Sequence, residues 1–386
     1  MMKSNKAYKF RLYPNKKQAK QLDNNLGSCR FVFNYFLTLS KETYEKEKRC
    51  LRYKDYAKKL VLLKNEKTFL QEVDSISLQQ SLRHLETAFL NFFKNPSNGY
   101  PQYKRKIFHN DTYSTINVNN NIKIVDNKHI KIPKIGIVKC IVHRNINDDY
   151  KLKSATINKT PSGKYFISIL FEYEKNIETY NLDYNKVIGL DYSNQEMFIC
   201  SDKLQFDKEF IKIYRKNEER LHFLQQTLSR RKKANHKQNE ESSKRYEKQR
   251  IKVAKYHEYL KNKRLDYYNK LTNEIANHYD VVVIEDLNMQ DMTIEYKRNG
   301  KVIYDNAWGL FTKLLKYKLE EKSKKLIKAN KYFASSKICN CCNYKNEALT
   351  IEIRNWICPN CGARHNRDIN ASINLKKEGL RLLNKH

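Results

Sequence analysis

The stretch AYKFRLYP near the N-terminus alternates apolar with mostly basic side chains, the period-two pattern of a strand. Pro14 ends it, and Asn15 followed by Gln18 forms the signature of a capping box that opens a helix. Leu22, Leu26, Cys29, Val32, Phe36 and Leu39 then recur at helical spacing. A second capping signature, Ser77 to Gln80, predicts another helix carrying Leu78, Leu82, Leu85, Phe89 and Phe92. From about 111 to 180 the period returns to two. IKIVDNKHIKIP reads as one hairpin, and ATINKTPSGKYFISILFEY as a second around a TPSGK turn. The order predicts a helical segment inserted into a small β domain whose first strand is the N-terminal one.

The C-terminal half opens with two strands in NKVIGLDYSNQEMFICSD (185–202). Long charged helices are predicted over 205–279, with LSRRKKANHKQNEESSKR (228–245) as a basic turn between them. The stripe Val253, Tyr256, Leu260, Tyr267, Leu271 and Ile275 faces a core. VVVIEDLNM (281–289) predicts a buried strand ending in acids, WGLFTKLLKYKLEEKSKKLI a further helix, and RDINASINLKKEG the last one.

Charge changes the picture. The 386 residues hold 76 Lys and Arg against 42 Asp and Glu, a net +34. An excess of that size fits an extended anionic partner, nucleic acid first among them. The loop PSNGYPQYKRK interleaves Tyr100 and Tyr103 with Lys104, Arg105 and Lys106, and Arg230 and Arg231 lie in the basic stretch further on. Aromatic faces among cations suit stacking on bases and pairing with phosphates. No run approaches the roughly 20 apolar residues of a membrane span, and the N-terminus lacks the apolar core of a signal peptide. A cytoplasmic, prokaryotic protein is expected, nucleoid-associated when bound to DNA.

Three acids stand where chemistry would place them. Asp191 ends VIGL, Glu285 ends VVVI, and Asp368 sits near the start of the last helix. A carboxylate ending a buried strand needs a partner, and a divalent cation is one; a lysine or a helix cap is another. Glu285 and Asp286 are neighbours, and because a strand alternates faces only one can enter such a site.

Five of the nine cysteines crowd into 339–361. Cys339-x-x-Cys342 and Cys358-x-x-Cys361, fifteen residues apart, have the spacing of a four-cysteine zinc ribbon with a closed, structural ion. Only 339/342 gives a C-x-x-C, so Cys341 reads as a bystander, and His365 is an alternative ligand beside a shell that four cysteines already satisfy. Gly362 follows the second knuckle and Asn343 the first, where the chain favours positive φ. Trp356 is expected to pack the ribbon core, with Arg354 and Arg364 beside the knuckles.

The order GLDYS, IEDLNM, DNAWGLF, SSKICNCCNYKN and WICPNCGARHNRDINASINL, after KAYKFRLYPNKKQ and CRFVFNYFL, resembles TnpB, the RNA-guided nuclease of small insertion-sequence transposons, whose RuvC-like core the miniature type V CRISPR effectors share. The resemblance implies an RNase H-like RuvC nuclease domain (183–335 plus 364–386) with an inserted zinc ribbon (336–363). It also implies a small β-barrel wedge domain (1–14 plus 105–182) carrying a helical recognition domain (15–104), α/β plus α+β in class. It carries the RuvC triad onto Asp191, Glu285 and Asp368 and the zinc ligands onto Cys339, Cys342, Cys358 and Cys361. It further implies two Mg²⁺ ions, one Zn²⁺, a transposon-encoded guide RNA and cleavage of double-stranded DNA beside a short motif, by a protein expected to be monomeric. An RNA-guided repressor and a compact CRISPR effector are the alternatives. The chain departs from the family at Asn366, where an acid is frequent, and at Asn343, where glycine is usual.

Overall fold

The structure, a computed structural model, describes residues 2–106, 111–175, 181–202, 217–237, 243–295, 306–350 and 352–384. It divides into two compact units, Met1–Ile177 and Glu178–His386.

In the first unit β1 (Met2–Tyr13) alternates as expected, with Phe10 and Leu12 buried and Lys9 and Tyr13 exposed. The Asn15–Gln18 box is formed in both directions and starts α1 (Lys16–Glu47). The lysine-rich α2 (Tyr53–Glu66), whose polar sequence hides its three buried positions, precedes α3 (Ser75–Lys94). The cap of α3 differs from expectation. Asp74, not Ser77, accepts from the Ile76 backbone, while Ser77 lies inside the helix and donates to the Asp74 carbonyl. Asp74 is buried and also bonds Asn25 and Thr115, so the cap doubles as a tie to α1 and the sheet. Six further strands follow, β2 (Thr112–Ile116), β3 (Lys123–Asp126), β4 (His129–Ile132), β5 (Gly136–Ile141), β6 (Lys151–Lys159) and β7 (Tyr165–Lys175). Both predicted hairpins are present, as β3–β4 and β6–β7. The antiparallel order is β2-β6-β7-β1-β5-β4-β3. The sheet therefore runs between two edges, β2 and β3, where a barrel would join them in a hydrogen-bonded ring. Phe10, Leu22, Phe36, Leu82 and Ile167 share one core, so helices and sheet bury each other.

The second unit is a four-stranded sheet, order β11-β10-β8-β9. β8 (Val187–Ser193), β10 (Val281–Glu285) and β11 (Lys325–Ala329) are parallel, and β9 (Met197–Cys200) is antiparallel to β8. The helices are α4 (Glu218–Lys237), α5 (Lys244–His278), α6 (Met289–Glu295), α7 (Trp308–Glu321) and α8 (Arg367–Leu383). The basic stretch predicted as a turn is helical through Lys237 and again from Lys244, and 238–242 lie outside the described residues. Gln249 bonds the Leu224 carbonyl, Tyr256 bonds Asn217 and Arg231 bonds the Arg245 carbonyl, which sets α4 antiparallel on α5. The helix predicted through Ile327 stops at Glu321. Ser323 takes a left-handed φ of 58°, and Lys325–Ala329 forms the edge strand β11, whose lysines mask it from a period-two reading.

A strand covered on both faces reads as an unbroken apolar run, and β10 shows why. Val282 and Ile284 pack with Ile188, Leu190, Ile275 and Phe311 under α5 and α7. Val281 and Val283 pack with Val187 and Leu375 under α8. Two glycines let α8 lie this close. A Cβ on Gly189 would stand 2.0 Å from the Ser372 carbonyl oxygen, and one on Gly379 2.2 Å from Val283. Among the described residues no helix is long and apolar enough to cross a membrane.

Candidate metal-dependent active site and zinc ribbon

The same parity delivers two acids to one place. Val281 pairs with Val187 and Val283 with Gly189, so continuing the register sets Glu285 beside Asp191 on the face covered by α8. Asp286 falls on the opposite parity and pairs with Lys328 at 2.7 Å, so of the two neighbours Glu285 is the one on the face of Asp191. Asp368 arrives from the first turn of α8, where Asn366 caps the helix by accepting from Asp368 N and Ile369 N at 3.1 and 3.2 Å. The asparagine at the family's frequent acid position is thus a helix cap.

All three acids line one cavity of about 940 Å³, together with Ser335, Arg354 and Arg367. Asp191 is 9 % exposed. Burial first, then the like charges of Glu285 and Asp368, push its carboxyl well above the usual range, against a smaller opposing pull from Arg367 and Arg354. Burial also raises Glu285, opposed by a hydrogen bond from the Ser335 hydroxyl to Oε1 and by the charge of Arg367. Arg354 donates from Nη1 to both oxygens of Asp368, at 2.8 and 2.9 Å. No three oxygens, one from each acid, lie within 4.8 Å of one another. The donor set fits hard dications, since buried carboxylate oxygens of one sign are relieved by positive charge.

The four cysteines do gather tightly. Their sulfurs all lie within 4.8 Å, with Cys339 to Cys361 at 3.7 Å and Cys342 to Cys358 at 3.6 Å. Zinc–sulfur bonds of about 2.3 Å give tetrahedral edges of about 3.8 Å, so the cluster fits a structural zinc. Each knuckle turns through a left-handed residue, Asn343 at φ 60° and Gly362 at φ 72°. Asn360 donates to Cys342 Sγ at 3.5 Å, and this bond with the backbone N–H of Tyr344 brings the thiol down to about 6, where it ionises readily. Strands β12 (Asn355–Ile357) and β13 (Arg364–Asn366) pair Trp356 with His365, and Trp356 packs among Cys339, Leu349 and Cys358 as expected. His365 Nε2 lies 3.1 Å from Cys339 Sγ. Cys339, Cys341 and His365 form a second donor group that overlaps the first at Cys339.

The predicted nucleic-acid residues divide. Tyr100 packs edge-on against Phe89 and Phe92, a structural role that the sequence did not announce. Tyr103, Lys104, Arg105 and Lys106 are exposed, with Lys41 over the Tyr103 ring and Lys104 over Phe33. Arg230 is exposed, whereas Arg231 is half-buried against α5. Residues that sequence reasoning passed over include Asn306, buried, whose amide donates to the carbonyls of Ser193 and Asn194 just past Asp191. They also include Ser335, Asn370 and Asn374. Their only sequence signal was membership of the quoted blocks.

Known proteins resemble this chain. The family described as "Helix-turn-helix domain" (HTH_OrfB_IS605) matches residues 1–49, "Probable transposase" (OrfB_IS605) matches 168–295, and "Cas12f1-like, TNB domain" matches 308–375. A protein of Streptomyces pristinaespiralis, provisionally named an RNA-guided DNA endonuclease, is 30% identical over 386 residues, 98% of this chain and 90% of that one. InsQ of Escherichia coli (strain K12), provisionally named likewise, is 31% identical over 233 residues, 60% of this chain and 55% of its own. The structure titled as a Cas12f1–sgRNA–target DNA complex has a similar fold, with a TM-score of 0.57 at 13% identity over 97% of this chain and 99% of that one. With a relative 30% identical over nearly the whole chain and three family models matched along it, the chain belongs to the TnpB family of RNA-guided DNA endonucleases.

Proposed function

We propose that the chain is an RNA-guided DNA endonuclease that binds a transposon-encoded guide RNA, reads a short motif beside its target and hydrolyses DNA at a two-metal RuvC site. The observation that carries this reading is the convergence of Asp191, Glu285 and Asp368, from two adjacent parallel strands and a helix, on one cavity. Asp191, Glu285 and Asp368 would hold the Mg²⁺ ions, which when bound supply an activated water and stabilise the leaving oxygen. Arg354 places a guanidinium on Asp368 at the mouth of the cavity, where a phosphodiester would bring its negative charge. Asn306 holds the turn that follows Asp191.

In this reading 183–335 plus 364–386 form an RNase H-like RuvC domain, with 336–363 as the ribbon inserted ahead of its last helix. Residues 1–14 plus 105–182 form a wedge-like β domain, and 15–104 a helical recognition domain. The exposed Tyr103, Lys104, Arg105, Lys106 and Arg230 contact RNA or DNA. Sequence specificity comes from pairing between guide and target, while the protein grips backbones. The net +34 supports such a role and implies binding that weakens steeply with salt. Sequencing the RNA that co-purifies with the full-length protein tests the proposal. A discrete RNA ending in a variable guide is the expected result, and purification free of a defined RNA would overturn it.

A further inference from the structure

Ser335 stands between the two metal-type centres, and its two ends bond in different directions. Its hydroxyl donates to Glu285 Oε1, and its backbone carbonyl accepts from Asn374 Nδ2 at 2.8 Å. Asn374 lies two helical turns along α8 from Asp368 and is 3 % exposed. The same amide donates to the Ile338 carbonyl at 2.6 Å, and Asn370, a further buried asparagine one turn nearer Asp368, donates to that carbonyl at 2.7 Å. Asn370 Oδ1 in turn accepts from the backbone N–H of Asn340 at 2.9 Å, next to Cys339. The segment 335–340 is therefore held to the catalytic helix on both sides of Ile338. One end of it touches an acid and the other carries a zinc ligand.

We infer that Ser335 is a positioning residue for Glu285, and that Asn374 and Asn370 join this contact to the first zinc knuckle. The inference deepens the two-metal reading above and rests on it. Glu285 ends a strand with its carboxylate in a cavity, where an untethered side chain would sample several rotamers before an ion could bind. A hydroxyl donated to one oxygen fixes the carboxylate plane, as hydrogen-bonded partners do for metal-binding carboxylates generally. Asn374 fixes the serine in turn, and because α8 also supplies Asp368, the relay ties the spacing of Glu285 and Asp368 to a single rigid element. Loss of order in the knuckle would reach Glu285 through the same few bonds. The Ser335 carbonyl sits in a buried setting and the Ile338 carbonyl in a part-buried one, so an asparagine removed there leaves acceptors without donors.

Mn²⁺ binding followed by electron paramagnetic resonance, on the zinc-loaded full-length protein, tests the relay without any cleavage step. Ser335→Ala should weaken Mn²⁺ binding by about tenfold, with zinc content and thermal midpoint unchanged. Ser335→Thr, which keeps the hydroxyl, should stay within about twofold of the natural protein. Asn374→Ser should move Mn²⁺ affinity in the same direction as Ser335→Ala. Natural Mn²⁺ affinity in Ser335→Ala, or equal losses in the alanine and threonine variants, would overturn the relay alone. A natural protein whose Mn²⁺ binding is no stronger than that of Asp191→Ala would overturn the two-metal reading, and the relay with it.

Discussion

The acid cavity and the cysteine cluster gather side chains of metal-ligating type in two different ways within one unit. The cysteines come from two short knuckles, each turned by a left-handed residue, and their sulfurs already stand at 3.6 and 3.7 Å. The acids come from residues 191, 285 and 368, and they meet only because two strands pair in one register and a helix crosses them. The cysteine site is local in sequence and closed. The acid site is assembled over long range and open to a cavity of about 940 Å³, and burial raises both Asp191 and Glu285, with like charges adding to the rise at Asp191. A structural ion needs only a fixed tetrahedron. An open cavity leaves room for a ligand, and its buried acids keep their raised carboxyls.

Breaking the long-range assembly should have the largest effect. Gly189→Ala puts a methyl 2.0 Å from the Ser372 carbonyl and forces α8 away from β8. We expect a loss of about 3 kcal/mol in unfolding free energy, seen in urea denaturation, with cleavage lost before the fold. Removing half the tetrahedron should do less. Cys358→Ser with Cys361→Ser should abolish zinc uptake and lower cleavage by about 10- to 100-fold, through the bonds that join the knuckle to α8. Full activity in that variant would cut the connection between the two sites.

The smallest effect sharpens the electrostatic contrast. Asp191→Asn removes a buried like charge and should stabilise the metal-free protein by about 1 kcal/mol at neutral pH, while stopping cleavage. The sign with pH follows from the raised carboxyl. Asp191 keeps its proton longer folded than unfolded, so its favourable contribution is present below the ordinary carboxylate value and is lost as pH rises through the raised one. The asparagine variant should lack that decline, which thermal melts across pH 4 to 8 would show.

Legibility in the sequence followed the same division. Cysteine spacing is a local pattern, and the ribbon follows from it directly. Asp191 and Glu285 were readable because each ends an apolar run, and their shared face follows from strand parity, but the pairing of β8 with β10 does not. Ser335, Asn370 and Asn374 carry no local signal, since their partners are backbone carbonyls, an N–H and a carboxylate brought near by tertiary packing. Ser77 had the spacing of a cap, yet Asp74 three residues earlier offered a carboxylate that also accepts from the Thr115 hydroxyl, while its backbone N–H donates to Asn25 Oδ1. β11 was hidden by lysines along the sheet edge and by a helix pattern that ran into it. The helices α4 and α5 take up more of 228–245 than the expected connection, whose remaining residues 238–242 lie outside the described residues.

The central claim is that three acids distant in sequence form one cutting site served by a bound RNA. Its most direct test compares the natural protein with Asp191→Ala, each carrying its co-purified RNA, on a plasmid holding the guide-matched target and Mg²⁺. The natural protein should cut. The variant should retain its RNA and lose cleavage by at least about a thousandfold, the loss of several kcal/mol of transition-state stabilisation. Cutting by Asp191→Ala at the natural rate would contradict the account.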